Sequence, residues 1–437
     1  MKRAILLSMV MVPALVNAIS ITEAVQKTIK THPQIEMKKE DRNTQKELLT
    51  RAKAGYLPSV DLSYSVGPEV TKTIANERES EGLTRQDASA TLTQNIFAGF
   101  DTVYGVKQQE ALILSAGDKV KESSNELALA TTTYYIEVLR TYELLQISKE
   151  NVDVHKKYLS QIDEKVKAGV GRSSDYKQTL ARYENALSIQ YLAEQNYDNA
   201  ISSFERILPG VTTAKDLEKP IIGNIPANDL TSLVQIAMKN HPTIHVSQAD
   251  IQVADAALKR SNAPYYPSAD IKLESYWNKN VHGVSTDLDN PTHNSLYEED
   301  SGYNALLVLN YNIFNGFADS ANKQANQHRL LNKNSTLADA RRYIQAYTEI
   351  AWQTFESTKQ QLAHLENTIK ASAETVADYQ KEHELGRRSI IDLLNIELEY
   401  NNARNRKTTA EYDRLISYYQ ILSYTGKILE EMNVAVE

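Results

Sequence analysis

Two hydrophobic periods take turns along the chain. Val60, Leu62, Tyr64 and Val66 alternate with Asp61, Ser63 and Ser65, and Ala88, Ala90 and Leu92 alternate with Ser89, Thr91 and Thr93. In the second half, Ala269, Ile271 and Leu273 alternate with Asp270, Lys272 and Glu274, followed by Ala305, Leu307, Leu309 and Tyr311. A period of two predicts strands with one apolar and one polar face. Each is about ten residues long, which matches a tilted membrane strand. Elsewhere the apolar positions step by three and four, as in Tyr176, Leu180, Tyr183, Leu187 and Tyr191, or Leu393, Ile396, Tyr400 and Ala403. That spacing predicts coiled-coil-like helices. Residues 103–166 hold no Pro, and only Gly105 and Gly117 weaken the helical reading. A helix of that length would reach roughly 100 Å, too long for a globule, so it must pack in an elongated bundle. Further helices are expected over residues 21–54 and 230–262. Pro58 and Pro267 stand where helix gives way to strand. Polar loops are expected over 69–87 and 278–302.

The pattern occurs twice. His32-Pro33 leads to Tyr56-Leu57-Pro58-Ser59, and His241-Pro242 leads to Tyr265-Tyr266-Pro267-Ser268, at a constant offset of 209. Asn95-Ile96-Phe97-Ala98-Gly99-Phe100 matches Asn312-Ile313-Phe314-Asn315-Gly316-Phe317 at an offset of 217, and residues 169–175 match 386–392 at the same offset. Four ordered matches with one eight-residue insertion indicate an internal duplication. The expected organisation is a leader over 1–18, a first repeat over 19–218 with strands near 58–70 and 88–97, and a second over 219–437 with strands near 267–278 and 303–314. Gly169, Gly171 and Gly386 mark the turns of the two long helical hairpins. Gly99 and Gly316 mark the strand exits.

Composition narrows the class. Lys2 and Arg3 precede an apolar run from Ala4 to Leu15 and then Val16-Asn17-Ala18, which reads as a secretory signal peptide cut after Ala18. Its removal takes the net charge from -8 to -10. No Cys occurs, which removes disulfides, thiolate metal sites and Cys nucleophiles together. The acidic balance argues against nucleic acid as a partner. No window of 18 apolar residues follows the leader, so spanning helices are not expected, whereas a β-barrel stays open.

Four strands cannot close a barrel, for which about eight is the practical minimum. In lipid, the two open edges would leave backbone groups unsatisfied. Several chains are therefore needed, and two, three or four copies all fit the residues. The competing structure is a soluble antiparallel sheet with one wet face.

The duplicated set resembles the TolC family of outer-membrane efflux proteins along nearly the whole chain after the leader. The residues that carry the resemblance are Ile21-Thr22-Glu23-Ala24-Val25 with His32-Pro33, the Tyr-x-Pro-Ser strand entries, the Asn-Ile-Phe-x-Gly-Phe exits, and residues 386–395. It implies a mainly α fold with membrane β: a homotrimer whose twelve strands form one outer-membrane barrel, continued by a long α-helical coiled-coil periplasmic barrel. It implies no enzyme activity and no cofactor or metal. The partners it implies are outer-membrane lipid, a periplasmic adaptor (membrane fusion) protein, and an inner-membrane transporter, either an ABC or a proton-driven one. Residues 386–404 and the second strand exit look closer to members serving type I protein secretion, with multidrug efflux as the alternative.

The resemblance also places a periplasmic gate at the hairpin turns. By position, Ser174 and Asp175 would face His383 and Arg388, and Asp392 would give an acidic ring in the lumen. Asn395 stands where the family often has a second acidic residue, and His383 where it often has Tyr. Without the resemblance, Ser173, Ser174, Asp175 and Ser389 read as helix N-caps. The polar strand faces (Asp61, Ser63, Ser65, Ser89, Thr91, Thr93, Asp270, Lys272, Glu274) are the candidates for a wet lumen. His32 and His241 lack a second ligand at helical spacing, and Gly169-x-Gly171 lacks the strand that a nucleotide loop needs. An envelope coiled-coil adhesin would not need strands at duplicated positions. A periplasmic enzyme finds no triad or dyad.

Overall fold

The structure is a computed structural model that describes residues 18–71, 81–211, 213–281 and 299–435. Residues 1–17 of the expected leader and the middles of both expected polar loops lie outside the described residues. Helices α1 (Ile21–Thr31) and α2 (Pro33–Lys53) lead to strands β1 (Ser59–Thr71) and β2 (Glu81–Ala98), then to α3 (Asp101–Lys167) and α4 (Ser173–Ile207). The second copy follows with α5 (Leu230–Asn240), α6 (Pro242–Arg260), β3 (Ser268–Lys279), β4 (Glu299–Asn310), α7 (Ala318–Glu384) and α8 (Ile390–Tyr424). A short α9 (Ile428–Glu431) ends it. Among the described residues no helix is long and apolar enough to cross a membrane.

Each expected opening helix is in fact two helices. The break falls at His32 in the first copy and His241 in the second, both in extended conformation, with Pro at the first position of the next helix. Pro is well placed there because its missing N–H would be unsatisfied in any case. The histidine caps the new helix with its ring. Gln34 N–H donates to His32 Nδ1 at 3.2 Å, and Thr243 N–H donates to His241 Nδ1 at 3.2 Å. The two histidines are thus backbone caps. The duplicated His-Pro pair carried this signal, but a ring-nitrogen cap is not part of the usual Ser/Thr/Asp/Asn vocabulary.

The chain forms two compact units. The first comprises Met1–Lys39, Asp118–His245 and Asp339–Glu437. Its core gathers Tyr135, Ile136, Phe204, Leu208, Leu233, Tyr412, Tyr418 and Ile421, all almost fully buried. Tyr135 packs edge-on against Phe204 at 5.8 Å. Its hydroxyl lies 2.7 Å from Ile19 O and 2.6 Å from Glu218 O, so one buried donor serves the carbonyls on both sides of the Ile19–Leu217 bridge. A buried phenol needs such a partner. Ser20 and Glu23 form a reciprocal capping box that starts α1 directly after this bridge.

The second unit comprises Glu40–Gly117 and Val246–Ala338. It holds a four-stranded antiparallel sheet in the order β1-β2-β3-β4. The register aligns Leu62 with Ala90, Leu92 with Leu273, and Ile271 with Leu307, so one face is apolar across all four strands. That face is bare: Leu62 is 81% exposed and Leu307 67%. The strands also reach further into the expected polar loops than alternation alone indicates. Hairpin pairing of Thr71 with Glu81, and of Lys279 with Glu299, extends them. β4 ends early, at Asn310. Its counterpart β2 runs on to Ala98 because β3 pairs with it to the end, and β4 has no outer neighbour.

His241 links the first unit's stability to pH. Burial, with His245 nearby, pushes its imidazole down from the usual 6.5 to about 4. Protonation would also destroy the acceptor that caps α6. The unfolded chain binds a proton near 6.5 and the folded chain only near 4, so this group costs stability as pH falls through that window. The loss is complete below pH 4 and amounts to about 3 kcal/mol. His241→Asn keeps a capping acceptor and removes the titration. In detergent, its thermal midpoint should fall less than that of the wild type between pH 7 and pH 4.5, and equal slopes would refute the assignment.

Candidate functional site

The first candidate surface is the polar side of the sheet. The registers pair Asp61 with Thr91, Ser63 with Ser89, Thr91 with Glu274, and Thr93 with Lys272. All nine polar positions singled out from the sequence therefore lie on one face. Asn304 Nδ2 donates to Glu274 Oε2 at 3.0 Å, and Asn95 Nδ2 donates to Asp270 Oδ1 at 2.8 Å, which extends the polar strip across β2, β3 and β4. Asn95 and Asn304 were not legible from alternation, because one sits at a bulge and the other between mixed neighbours. Pro58 and Pro267 immediately precede β1 and β3, and each follows a single 3₁₀ turn, residues Ala54–Tyr56 and Ala263–Tyr265. Gly99 and Gly316 both take left-handed backbone, with φ of 59° and 68°. A side chain at Gly99 would also meet the Ala263 carbonyl at 2.3 Å, so that exit needs glycine twice over.

The second candidate surface is the pair of hairpin turns in the first unit. Gly169 and Gly386 lie at matched positions and both take left-handed φ, 78° and 72°. After Gly169, the Val170 and Gly171 amides donate to Lys165 O. After His383, Gly386 N–H donates to His383 O and Arg387 N–H to Glu382 O. These bonds satisfy the last carbonyls of α3 and α7, and left-handed glycine lets the chain turn back without strain. Gly171 has a different reason for being glycine, since a Cβ there would lie 2.8 Å from Val166 N.

The turns share a frame but differ in their caps. Ser389 caps α8: its hydroxyl accepts from Asp392 N–H at 3.1 Å and donates to the Asp392 carboxylate at 2.7 Å. That hydroxyl bond, helped by the Ser389 amide and Arg388, holds the Asp392 carboxyl below its usual range. The matched position in the first hairpin is Arg172, which gives no side-chain cap. Ser173, expected as a cap, instead opens α4 itself. Ser174 lies one residue further in and donates to its neighbour Asp175 at 3.2 Å.

Within the single chain, Ser174, Asp175, His383 and Arg388 have other partners among the described residues. Arg388 donates to Glu382 at 2.7 Å and lies over the Tyr379 ring at 4.1 Å. His383 Nδ1 lies 2.8 Å from Arg388 O, and its Nε2 lies 3.5 Å from Lys165 Nζ. With Nδ1–H donating to the carbonyl, Nε2 is left to accept from the lysine. Arg182 donates to Asn395 Oδ1 at 2.8 Å. The polar links between the two hairpins thus include Lys165–His383 and Arg182–Asn395, with Gln380–Tyr158 and Asn401–Asn151 further along. The hairpins also share an apolar cluster of Tyr158, Ile162, Ile390, Leu393 and Leu394, against which Tyr176 and Tyr379 pack. Lys165, Arg182, Glu382 and Tyr379 escaped sequence reasoning, since ordinary charged and aromatic helix residues give no signal until the turns bring them together. Val170 and Leu385 stand out at the turns, 79% and 69% exposed.

Neither surface assembles the groups of an active centre, and no cluster of His, Asp and Glu able to hold a metal occurs among the described residues.

Comparison with known proteins agrees with this architecture. The family model described as outer membrane efflux protein matches residues 24–209 and 233–427, one match in each repeat. The proteases secretion protein PrtF of Dickeya chrysanthemi is 21% identical, covering 96% of this chain and 90% of its own. The outer membrane protein TolC of Escherichia coli K12 is 20% identical, covering 96% and 84%. Among solved structures, the CmeC outer membrane channel of Campylobacter jejuni superposes with a TM-score of 0.80 at 13% identity, covering 93% of this chain and 85% of that one. The chain belongs to the outer membrane efflux protein family, and with it to the outer-membrane transport channels rather than to the enzymes.

Proposed function

We propose that three copies of this chain close one twelve-stranded barrel and form an export duct for polypeptides. In that duct an inner-membrane transporter and a periplasmic adaptor protein deliver the cargo. The sheet carries this reading. Its apolar face is bare, and among the described residues β1 and β4 each have one edge without a strand partner. In lipid such edges cost several kcal/mol per unsatisfied group, and closure with further copies removes the cost. Three is the number that the family resemblance implies. The leader, cut after Ala18, would route the chain to the envelope, and the two repeats 19–218 and 219–437 would each supply two strands and one hairpin.

The polar face of the sheet would line the lumen, and the hairpin turns would form its gate. Support for the gate comes from two of the polar links between hairpins, Lys165–His383 and Arg182–Asn395. The capped Asp392 carboxylate, kept ionised, would add negative charge near the mouth and attract cations. The exposed Val170 and Leu385 are the apolar tips an adaptor would grip. Polypeptide cargo is favoured by the similarity to PrtF, a proteases secretion protein, across nearly the full length of both chains. Small-molecule efflux is the second reading, favoured by the family's own description.

A deletion strain should lose a secreted polypeptide from the medium while keeping its drug tolerance, whereas drug hypersensitivity with normal secretion would favour the second reading. Replacing Arg182 and His383 together by Ala should raise single-channel conductance in planar bilayers several-fold, roughly what loss of two modest polar links allows. An unchanged conductance would remove these links from the gate.

A further inference from the structure

In the second unit, strands and helices meet at a belt of aromatic rings. Phe97 pairs with Ala269 across the central ladder, so it shares the sheet's apolar face. Its ring centre lies 5.2 Å from that of Phe100 and 6.5 Å from that of Tyr266. Phe100 in turn lies 6.5 Å from Tyr104, at the start of α3. Lys107 Nζ follows, 5.4 Å from the centre of the Tyr104 ring. The apolar face thus runs on from the strands to the helices. There Tyr104, Lys107 and Glu110 of α3 line a groove of about 610 Å³ with Ile251, Asp255 and Lys259 of α6. We propose that this groove holds the headgroup of an aminophospholipid of the phosphatidylethanolamine type. Its phosphate sits on Lys107 and Lys259, and its ammonium on Glu110 and Asp255. The proposal rests on the reading that the sheet's apolar face lies in lipid, and it names the lipid at the helical end of that face.

The order of charges along the groove is the first support. α3 runs away from the sheet after β2, and α6 runs toward it before β3. Lys107 therefore lies nearer the sheet than Glu110, and Lys259 nearer than Asp255. Rings come first, then two cations, then two carboxylates. The levels are separated by about 4.5 Å along α3 and about 6 Å along α6. An ethanolamine lipid has the same sequence of groups: acyl chains, an anionic phosphate, then an ammonium about one helical turn further out. A glycerol headgroup carries no terminal cation to meet the carboxylates. The quaternary nitrogen of a choline headgroup has no N–H to donate to them.

The second support is that these groups are available. Lys107, Glu110 and Lys259 are exposed, and Lys107 forms no ion pair among the described residues. Lys259 gives one bond to Asp255 at 2.7 Å, with both side chains about half exposed. An ammonium has three donors and a carboxylate several acceptor sites, so each can add a lipid group without breaking that pair. A groove of this volume suits a headgroup but not a whole two-chain lipid. The acyl chains would lie on Phe97, Phe100 and Tyr266, while the lysine stems reach along the apolar surface and keep their heads wet.

The third support is that the duplication keeps the rings and drops the charges. Phe97 and Phe100 recur as Phe314 and Phe317, edge-on at 5.4 Å. The positions matching Tyr104, Lys107 and Glu110 are Ala321, Gln324 and Gln327. Those matching Asp255 and Lys259 are Lys46 and Thr50. A general aromatic girdle needs only the rings, and both repeats have them. The ordered charges occur at one of the two matched places, as a single lipid site per chain requires.

Lipid titration of the delipidated protein in detergent, read by native mass spectrometry, tests the site. Wild type should retain one phosphatidylethanolamine per chain, and phosphatidylcholine about tenfold more weakly. Lys107→Gln with Lys259→Gln should weaken phosphatidylethanolamine and phosphatidylglycerol alike, by about tenfold. Glu110→Gln with Asp255→Asn should weaken phosphatidylethanolamine and leave phosphatidylglycerol unchanged. Lys156→Gln with Lys177→Gln, exposed lysines of the first unit, should change neither. Equal retention of the three lipids by wild type would overturn the site, as would retention that neither groove variant alters. Flotation with vesicles of phosphatidylethanolamine and phosphatidylglycerol checks the sheet separately, and wild type and every variant should float. Wild type that stays out of the vesicles would overturn the sheet's contact with lipid, and the site with it.

Discussion

Backbone hydrogen bonding at the two edges of one small sheet governs this protein. Among the described residues, four strands satisfy one another through three ladders and leave the outer rows of β1 and β4 without strand partners. In water such rows are a liability for aggregation, and in a bilayer they are prohibitive. The apolar face spanning Leu62, Leu92, Ile271 and Leu307 has the same consequence, since a sheet this bare has no solvent-facing reason to be apolar. Closure with further copies in lipid, as proposed, would remove both costs at once and leave a conduit.

The helical unit meets a different constraint. Its long helices need defined ends, and each copy provides them with the same backbone devices. Proline after a ring-capping histidine restarts the helix near the beginning of each repeat, and a left-handed glycine turns each hairpin. The side chains laid over that shared frame have diverged. Ser389 and Asp392 box the start of α8, while Arg172 leaves the start of α4 without a side-chain cap. Lys165 and His383 then link hairpins whose turns were once equivalent. Duplication followed by divergence gives two similar halves whose helix starts are held differently.

The duplication explains why so much of the architecture was legible in advance. Period two located all four strands and sorted Asp61, Ser89, Thr91 and Lys272 onto one face, because strand geometry allows each side chain only two directions. Helix interiors were equally legible from their spacing, and the turn glycines from their matched positions. The breaks at His32 and His241 were missed, since an amphipathic pattern continues smoothly through a one-residue interruption. The strand ends were also misjudged, because hairpin pairing carries β1 and β2 beyond the alternating residues and the missing neighbour shortens β4.

By itself the sequence determined the elements, their duplication and the faces they present. All of these follow from local periodicity and its repetition. Only the tertiary structure decided the partners of individual charges. Within the chain Arg388 meets Glu382 and Tyr379, and Asn395 meets Arg182. A long flexible side chain at a turn can reach several carboxylates within a few ångströms. Which one it meets depends on the angle at which two hairpins pack, and no pattern along a single chain encodes that angle.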